Sequence, residues 1–87
     1  MKLLPTVNKS KLVKLLRHKG YDVPGLHSVH FEKLTRHIFL LEWVDRRKQP
    51  RRAVYFACAG RPYLKVGEDQ DWLTMAEVIS FGLVEEK

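Results

Sequence analysis

The spacing of apolar residues changes several times along the chain, and each change marks an element. Between Asn8 and Gly20, Leu12, Val13, Leu15 and Leu16 fall within one arc at about 100° per residue. Lys11, Lys14, Arg17 and His18 take the opposite arc. This predicts an amphipathic helix with a basic outer face, capped by Asn8 or Ser10 and running to about Lys19. Gly20 stops it, and Tyr21 to Gly25 turns the chain, with Pro24 pushing Val23 towards extended geometry. Residues 1–7 are expected to be a flexible arm, and residues 8–87 a single domain.

The stretch Ser28 to Gln49 reads in two ways. As a helix it has Ser28 as N-cap, Phe31, Leu34, Ile38, Leu41 and Asp45 at spacings of three and four, and Pro50 as its end. As a strand, the nearly all-apolar run Ile38 to Val44 pairs with the next segment through the charged loop Asp45–Arg51. The helix is preferred, because a strand apolar on both faces needs cover on both sides and a small domain supplies little. Residues 52–67 then form a β-hairpin around the three-residue loop Gly60-Arg61-Pro62. That register puts Val54, Phe56, Cys58, Leu64 and Val66 on the core face, with Tyr55, Ala57, Tyr63 and Lys65 opposite. After Glu68-Asp69-Gln70-Asp71 comes a last helix, with Thr74 and Glu77 spaced as a capping box and Asp71 as a rival cap. Its buried stripe is Trp72, Met75, Ala76, Ile79 and Leu83, and Gly82 ends it.

The expected fold is therefore α+β: helices packed on an antiparallel β-hairpin or a three-stranded sheet. With Ser28–Gln49 helical, the order suits a winged-helix-like binder, in which a helix enters the major groove and the wing touches backbone. With a strand at 38–44, the order helix, three antiparallel strands, helix (α-β-β-β-α) resembles the double-stranded-RNA-binding arrangement. The segment Leu73-Thr74-Met75-Ala76-Glu77-Val78-Ile79 is similar to the first helix of an excisionase-type helix-turn-helix. No recognition helix follows it, and the residues around it are acidic, so it is read as a capped helix start.

Charge sharpens this picture. The 87 residues carry a net +6, but unevenly. Residues 1–67 hold fifteen Lys and Arg against four Asp and Glu, a balance of +11; residues 68–87 hold one Lys against six carboxylates, a balance of −5. Either the acidic tail neutralises the basic body, or the body faces a polyanion. No apolar run, Ile38 to Leu41 included, comes near the length of a membrane span. Met1-Lys2-Leu3-Leu4 begins like a secretory signal, yet Pro5 and Asn8 interrupt it. The single cysteine, Cys58, makes no internal disulfide, so a cytoplasmic setting is the default expectation.

Arg46, Arg47, Lys48, Arg51 and Arg52 place five cations in seven residues, broken by Gln49-Pro50. A facing phosphate chain relieves their mutual repulsion and releases counterions. With Arg61 and Lys65 they are the candidate phosphate contacts; Tyr63 and Tyr55 are candidate base or sugar contacts, since rings stack on bases. Lys11, Lys14 and Arg17 add the basic arc of the first helix. Cations interleaved with aromatics point to DNA or RNA and to a regulator or accessory factor without catalysis. The rival reading is an interaction module, an inhibitor or adaptor docking by charge complementarity, with a homodimer as one form of it. A third is an Arg/His ribonuclease like small RNA-cutting toxins, whose sites leave little signature.

No cofactor is expected. His27, His30, His37 and Cys58 form no compact zinc-ligand pair, and Glu68, Asp69 and Asp71 sit in no calcium-type loop. These carboxylates are read as helix-start residues at the positive dipole end. Cys58 is read as a buried thiol, and Trp43 and Trp72 as core.

Overall fold

Five consecutive segments pair edge to edge in an antiparallel meander, each hydrogen-bonded to its neighbour in the chain. The computed structural model describes residues 3–58 and 61–86. Its elements run β1 (Leu3–Pro5), α1 (Lys9–His18), a single 3-10 turn (Leu26–Ser28), β2 (His30–Thr35), β3 (Ile38–Val44) and β4 (Pro50–Phe56). They continue with β5 (Tyr63–Val66), β6 (Asp69–Trp72), α2 (Met75–Ser80) and β7 (Val84–Glu86). The main sheet has the order β2-β3-β4-β5-β6, and β1 pairs with β7 in a second, two-stranded sheet. The α+β class stands, but neither a hairpin nor a three-stranded sheet describes it. No helix among the described residues is long and apolar enough to cross a membrane.

The first helix forms as its pattern dictates. Asn8 accepts from the Lys11 amide at 2.9 Å, and Leu12, Val13, Leu15 and Leu16 are sealed into the core. Gly20 follows at φ 96°, a left-handed position that relieves a side chain of strain. The helix expected over Ser28–Gln49 is instead the hairpin β2–β3. Thr35, Arg36 and His37 break the segment, with Thr35 Oγ1 accepting from the His37 amide at 3.2 Å. Phe39, Leu41 and Trp43 are buried, while Ile38, Leu40 and Glu42 stay half-buried on the other face. Pairing on both edges satisfies the backbone of β3, and cover on one face is enough. The helical spacing was coincidental: in the sheet Phe31 and Leu41 point inward, whereas Leu34 is exposed.

The arm is likewise no arm at its inner end. Leu3 to Pro5 pair with Val84 to Glu86, and Thr6 donates its amide to Leu83 and its hydroxyl to Gly82. Lys11 Nζ closes the same corner by donating to the Thr6 carbonyl at 2.7 Å. Asp69 and Asp71 lie in β6 rather than at a helix start. Gly67 at φ 60° opens the two-residue turn Gly67–Glu68 that creates this strand, the first-position glycine that a II′ hairpin wants.

The Thr74–Glu77 capping box forms as expected, with reciprocal bonds at 3.1 Å. The helix it starts buries a different stripe. Val78, with Leu73 and Leu83 beside the helix, enters the core, while Trp72, Ala76 and Ile79 are exposed. Both helices feed one core with Trp43, Ala53, Tyr55, Leu64 and Val66. They cover one face of the meander and, among the described residues, leave the other open.

Candidate nucleic-acid interface

Period two along β3, β4, β5 and β6 sends alternate side chains to the uncovered face, and none of these belongs to the core cluster. Cross-strand register sorts them into rows. At one end Ile38 pairs with Phe56, Phe56 with Tyr63, and Tyr63 with Trp72. The Phe56 and Tyr63 rings stack at 4.4 Å and 13°, and Trp72 meets Tyr63 at 4.9 Å and 53°. The Arg61 guanidinium lies 4.7 Å over the Trp72 ring, a cation–π contact. Trp72 is nevertheless 46% exposed. The middle row holds Glu32, Leu40, Val54, Lys65 and Gln70, and the far row His30, Glu42 and Arg52. Between β4 and β5 a shallow groove of about 310 Å³ has Val54 and Phe56 on its floor, with Arg52, Lys65 and Gly67 around it.

Of the residues anticipated for a site, Tyr63, Lys65, Arg61 and Arg52 reach this face or its margin. Tyr55 does not: it is fully buried among Phe39 and the helix side chains, and cannot contact a ligand. A three-residue loop would have paired Phe56 with Val66; instead Phe56 pairs with Tyr63. The shift is an odd number of residues, so it exchanges the faces of β4. Tyr55 and Ala57 go inward, Phe56 comes out, and Cys58 is exposed rather than buried. Gly60 of the expected loop lies outside the described residues. Trp72 was assigned to a helix stripe, and the overlooked signal was the glycine turn at 67–68, which makes Asp69 to Trp72 a period-two strand.

The arginine cluster sits at the other end of β4. Asp45 organises its turn by accepting from the Arg47 and Gln49 amides, both at 2.9 Å. Lys48 occupies the left-handed position of that turn at φ 64°. Arg46 pairs with Asp22 at 3.1 Å and Arg52 with Glu42 at 3.0 Å. Arg47, Lys48 and Arg51 have no ion pair among the described residues. Trp43 is buried beneath this end and donates its indole N–H to the Asp22 carbonyl. A cleft of about 540 Å³ lies here, bordered by Tyr21, Asp22, Arg47 and Arg51.

The remaining charges lie away from this face. The basic arc of α1 does not join the site, because α1 packs on the covered face and its outer side looks away. Lys11 is held by Thr6, and Arg17 donates to the Val23 and Pro24 carbonyls, the latter at 2.7 Å; Lys14 alone of the three is exposed without such a tie. Nor does the acidic segment cover the arginines with its described ion pairs. Lys19 grips Glu77 at 2.7 Å and Asp71 at 3.4 Å. The hydrogen bond between them raises the Lys19 ammonium above its usual pKa and, helped by the Thr74 amide, lowers the Glu77 carboxyl. Burial, with the charges of Asp69 and Asp71, raises the nearby Tyr21 phenol.

The four histidines are dispersed, His18 against Phe81, His27 in the 3-10 turn, His30 facing Glu32 and His37 at the β2–β3 turn. No group of three potential metal ligands occurs among the described residues. No protein-family model matches the chain, and neither the curated proteins nor the solved structures contain a match to it.

Proposed function

We propose that this chain is a small nucleic-acid-binding module that presents the open face of its sheet to DNA or RNA and acts as a regulator or accessory factor without catalysis. One observation carries the reading: Phe56, Tyr63 and Trp72 form a contiguous aromatic row on an uncovered face, with Arg61 and Lys65 beside it. Leaving such rings half in water forgoes burial that would stabilise the fold. A nucleobase recovers that area, since every base has a π face and a stack contributes about 1–3 kcal/mol. The adjacent cations suit the phosphates that accompany the bases.

The test uses protein stripped of nucleic acid by nuclease and a high-salt wash, titrated into labelled single-stranded DNA, RNA and random duplex. Binding should weaken as salt rises, and it should quench Trp72, because Trp43 is buried. Replacing Tyr63 or Trp72 by Ala should weaken binding about five- to a hundredfold, in line with the loss of one stack. Lys14→Ala, on the far side of the molecule, should change little. Absence of binding to all three probes at moderate salt would overturn the proposal.

A second reading draws on the other half of the same face. Ile38, Leu40 and Val54 are aliphatic, and the Glu42–Arg52 pair beside them carries both signs. That surface favours a protein partner, including a second copy, docking by charge complementarity. Concentration-dependent self-association in sedimentation, removed by Leu40→Lys, would support it.

A further inference from the structure

The aromatic row and the arginine turn occupy opposite ends of one strand. From Phe56 to Pro50 the strand β4 advances six residues, roughly 20 Å at about 3.3 Å per residue. On the open face the groove over Val54 runs from Phe56 between Lys65 and Arg52 to Gly67. The turn that carries Arg47 and Lys48 joins the Pro50 end of the same strand, beyond Arg52. Those two cations have no ion pair among the described residues, in contrast to Arg46 and Arg52. Lys48 also holds a left-handed backbone conformation that Gly or Asn adopts more easily. A charge is thus kept where the backbone disfavours it.

We infer that the ligand is an unpaired strand laid lengthwise along β4, with bases stacked on Phe56, Tyr63 and Trp72 and its backbone running between Lys65 and Arg52 to Arg47 and Lys48. This rests on the nucleic-acid reading above and adds strandedness, direction and length. A duplex keeps its bases stacked on one another and offers none to the aromatic row. A span of roughly 20 Å corresponds to about six nucleotides at ~3.4 Å per stacked nucleotide. Shorter strands reach the row without reaching the turn.

The experiment compares oligothymidylates and oligouridylates of about three and about eight nucleotides, shorter and longer than that span. Each is titrated into wild-type protein and into the double variant Arg47→Ala, Lys48→Asn, chosen because Asn tolerates the left-handed position. Circular dichroism and thermal unfolding establish that the variant is folded. The longer strand should bind wild type at least tenfold more tightly than the shorter one. In the double variant that gain should disappear and the slope of log K against log salt should fall by about 1–2, while affinity for the short strand stays the same. Equal weakening of both lengths, or an undiminished gain with length, would overturn the bipartite path while leaving the aromatic site standing. Duplex binding as tight as single-strand binding would overturn the strandedness. Failure of every oligonucleotide to bind would remove the nucleic-acid reading and this inference together.

Discussion

Tyr55 allows the register of β4 to be tested in solution without any ligand. Its ring is fully buried, and its hydroxyl has no hydrogen-bond partner among the described protein groups. Burial, with a smaller contribution from Cys58, pushes the phenol up from its ordinary 10.0 to about 12. A raised pKa on a group that is neutral when protonated means that its contribution to stability is complete below about pH 10. That contribution is lost as pH rises, because the unfolded chain releases the proton first. At pH 11 the unfolded phenol is favoured by RT ln[(1 + 10)/(1 + 0.1)], about 1.4 kcal/mol, relative to the buried one. Tyr55→Phe removes this penalty and leaves the shape of the core unchanged. At pH 7 the substitution should be neutral or stabilising by about 1 kcal/mol, since no protein hydrogen bond is broken and a buried polar atom is removed. Between pH 9 and pH 11 the variant should gain about 1.4 kcal/mol on wild type in urea unfolding, and ultraviolet titration of wild type should show a late-ionising tyrosine that the variant lacks. Parallel loss of stability in the two proteins would refute the argument and return Tyr55 to the exposed face.

Three further outcomes follow from the packing. Lys19→Met should cost about 1 kcal/mol by releasing Asp71 and Glu77. It should also flatten the acid limb of the stability profile, because the Glu77 contribution is present above its ordinary 4.5 and is lost as pH falls through its lower folded value. Asn8→Ala and Thr74→Ala should each lower stability by about 1 kcal/mol in thermal or urea unfolding, with no effect at these caps refuting the assigned helix starts. Leu64→Ala, a fully buried truncation at the centre of the meander, should cost about 2–5 kcal/mol, whereas Ile79→Ala, exposed on α2, should stay within about 0.5 kcal/mol of wild type.

What could be read in advance followed from local chemistry. The first helix, both caps, the turning role of Gly20 and the inward pair Leu64 and Val66 all depend on residues a few positions apart. What failed depended on a partner elsewhere in the chain. Ser28 to Gln49 satisfies helical spacing and strand alternation at once, and only the edges offered by β4 decide between them. Tyr55 and Phe56 are adjacent and similarly apolar, so their faces are fixed by the length of the connection to β5, which composition does not encode. Tyr63, Lys65 and the arginine cluster were legible as candidates because charge and aromaticity are local. The row that joins Tyr63 to Phe56 and Trp72 was not, since it exists only across three strands. The division of charge was correctly seen, but its internal resolution through Lys19 needed the packing of α1 beside β6.

The clasp between β1 and β7 would allow this unit to be grafted into another chain. Leu3 pairs with Glu86 and Pro5 with Val84, so the start of the first strand and the end of the last lie side by side. A unit whose two ends meet can be spliced into a surface loop of another protein without forcing that loop apart. A short bridge between its ends would also permit the chain to be reopened at another turn with every ladder of the main sheet kept. The geometry thus makes the module portable, able to carry its open sheet face into a host at the cost of little strain on either partner.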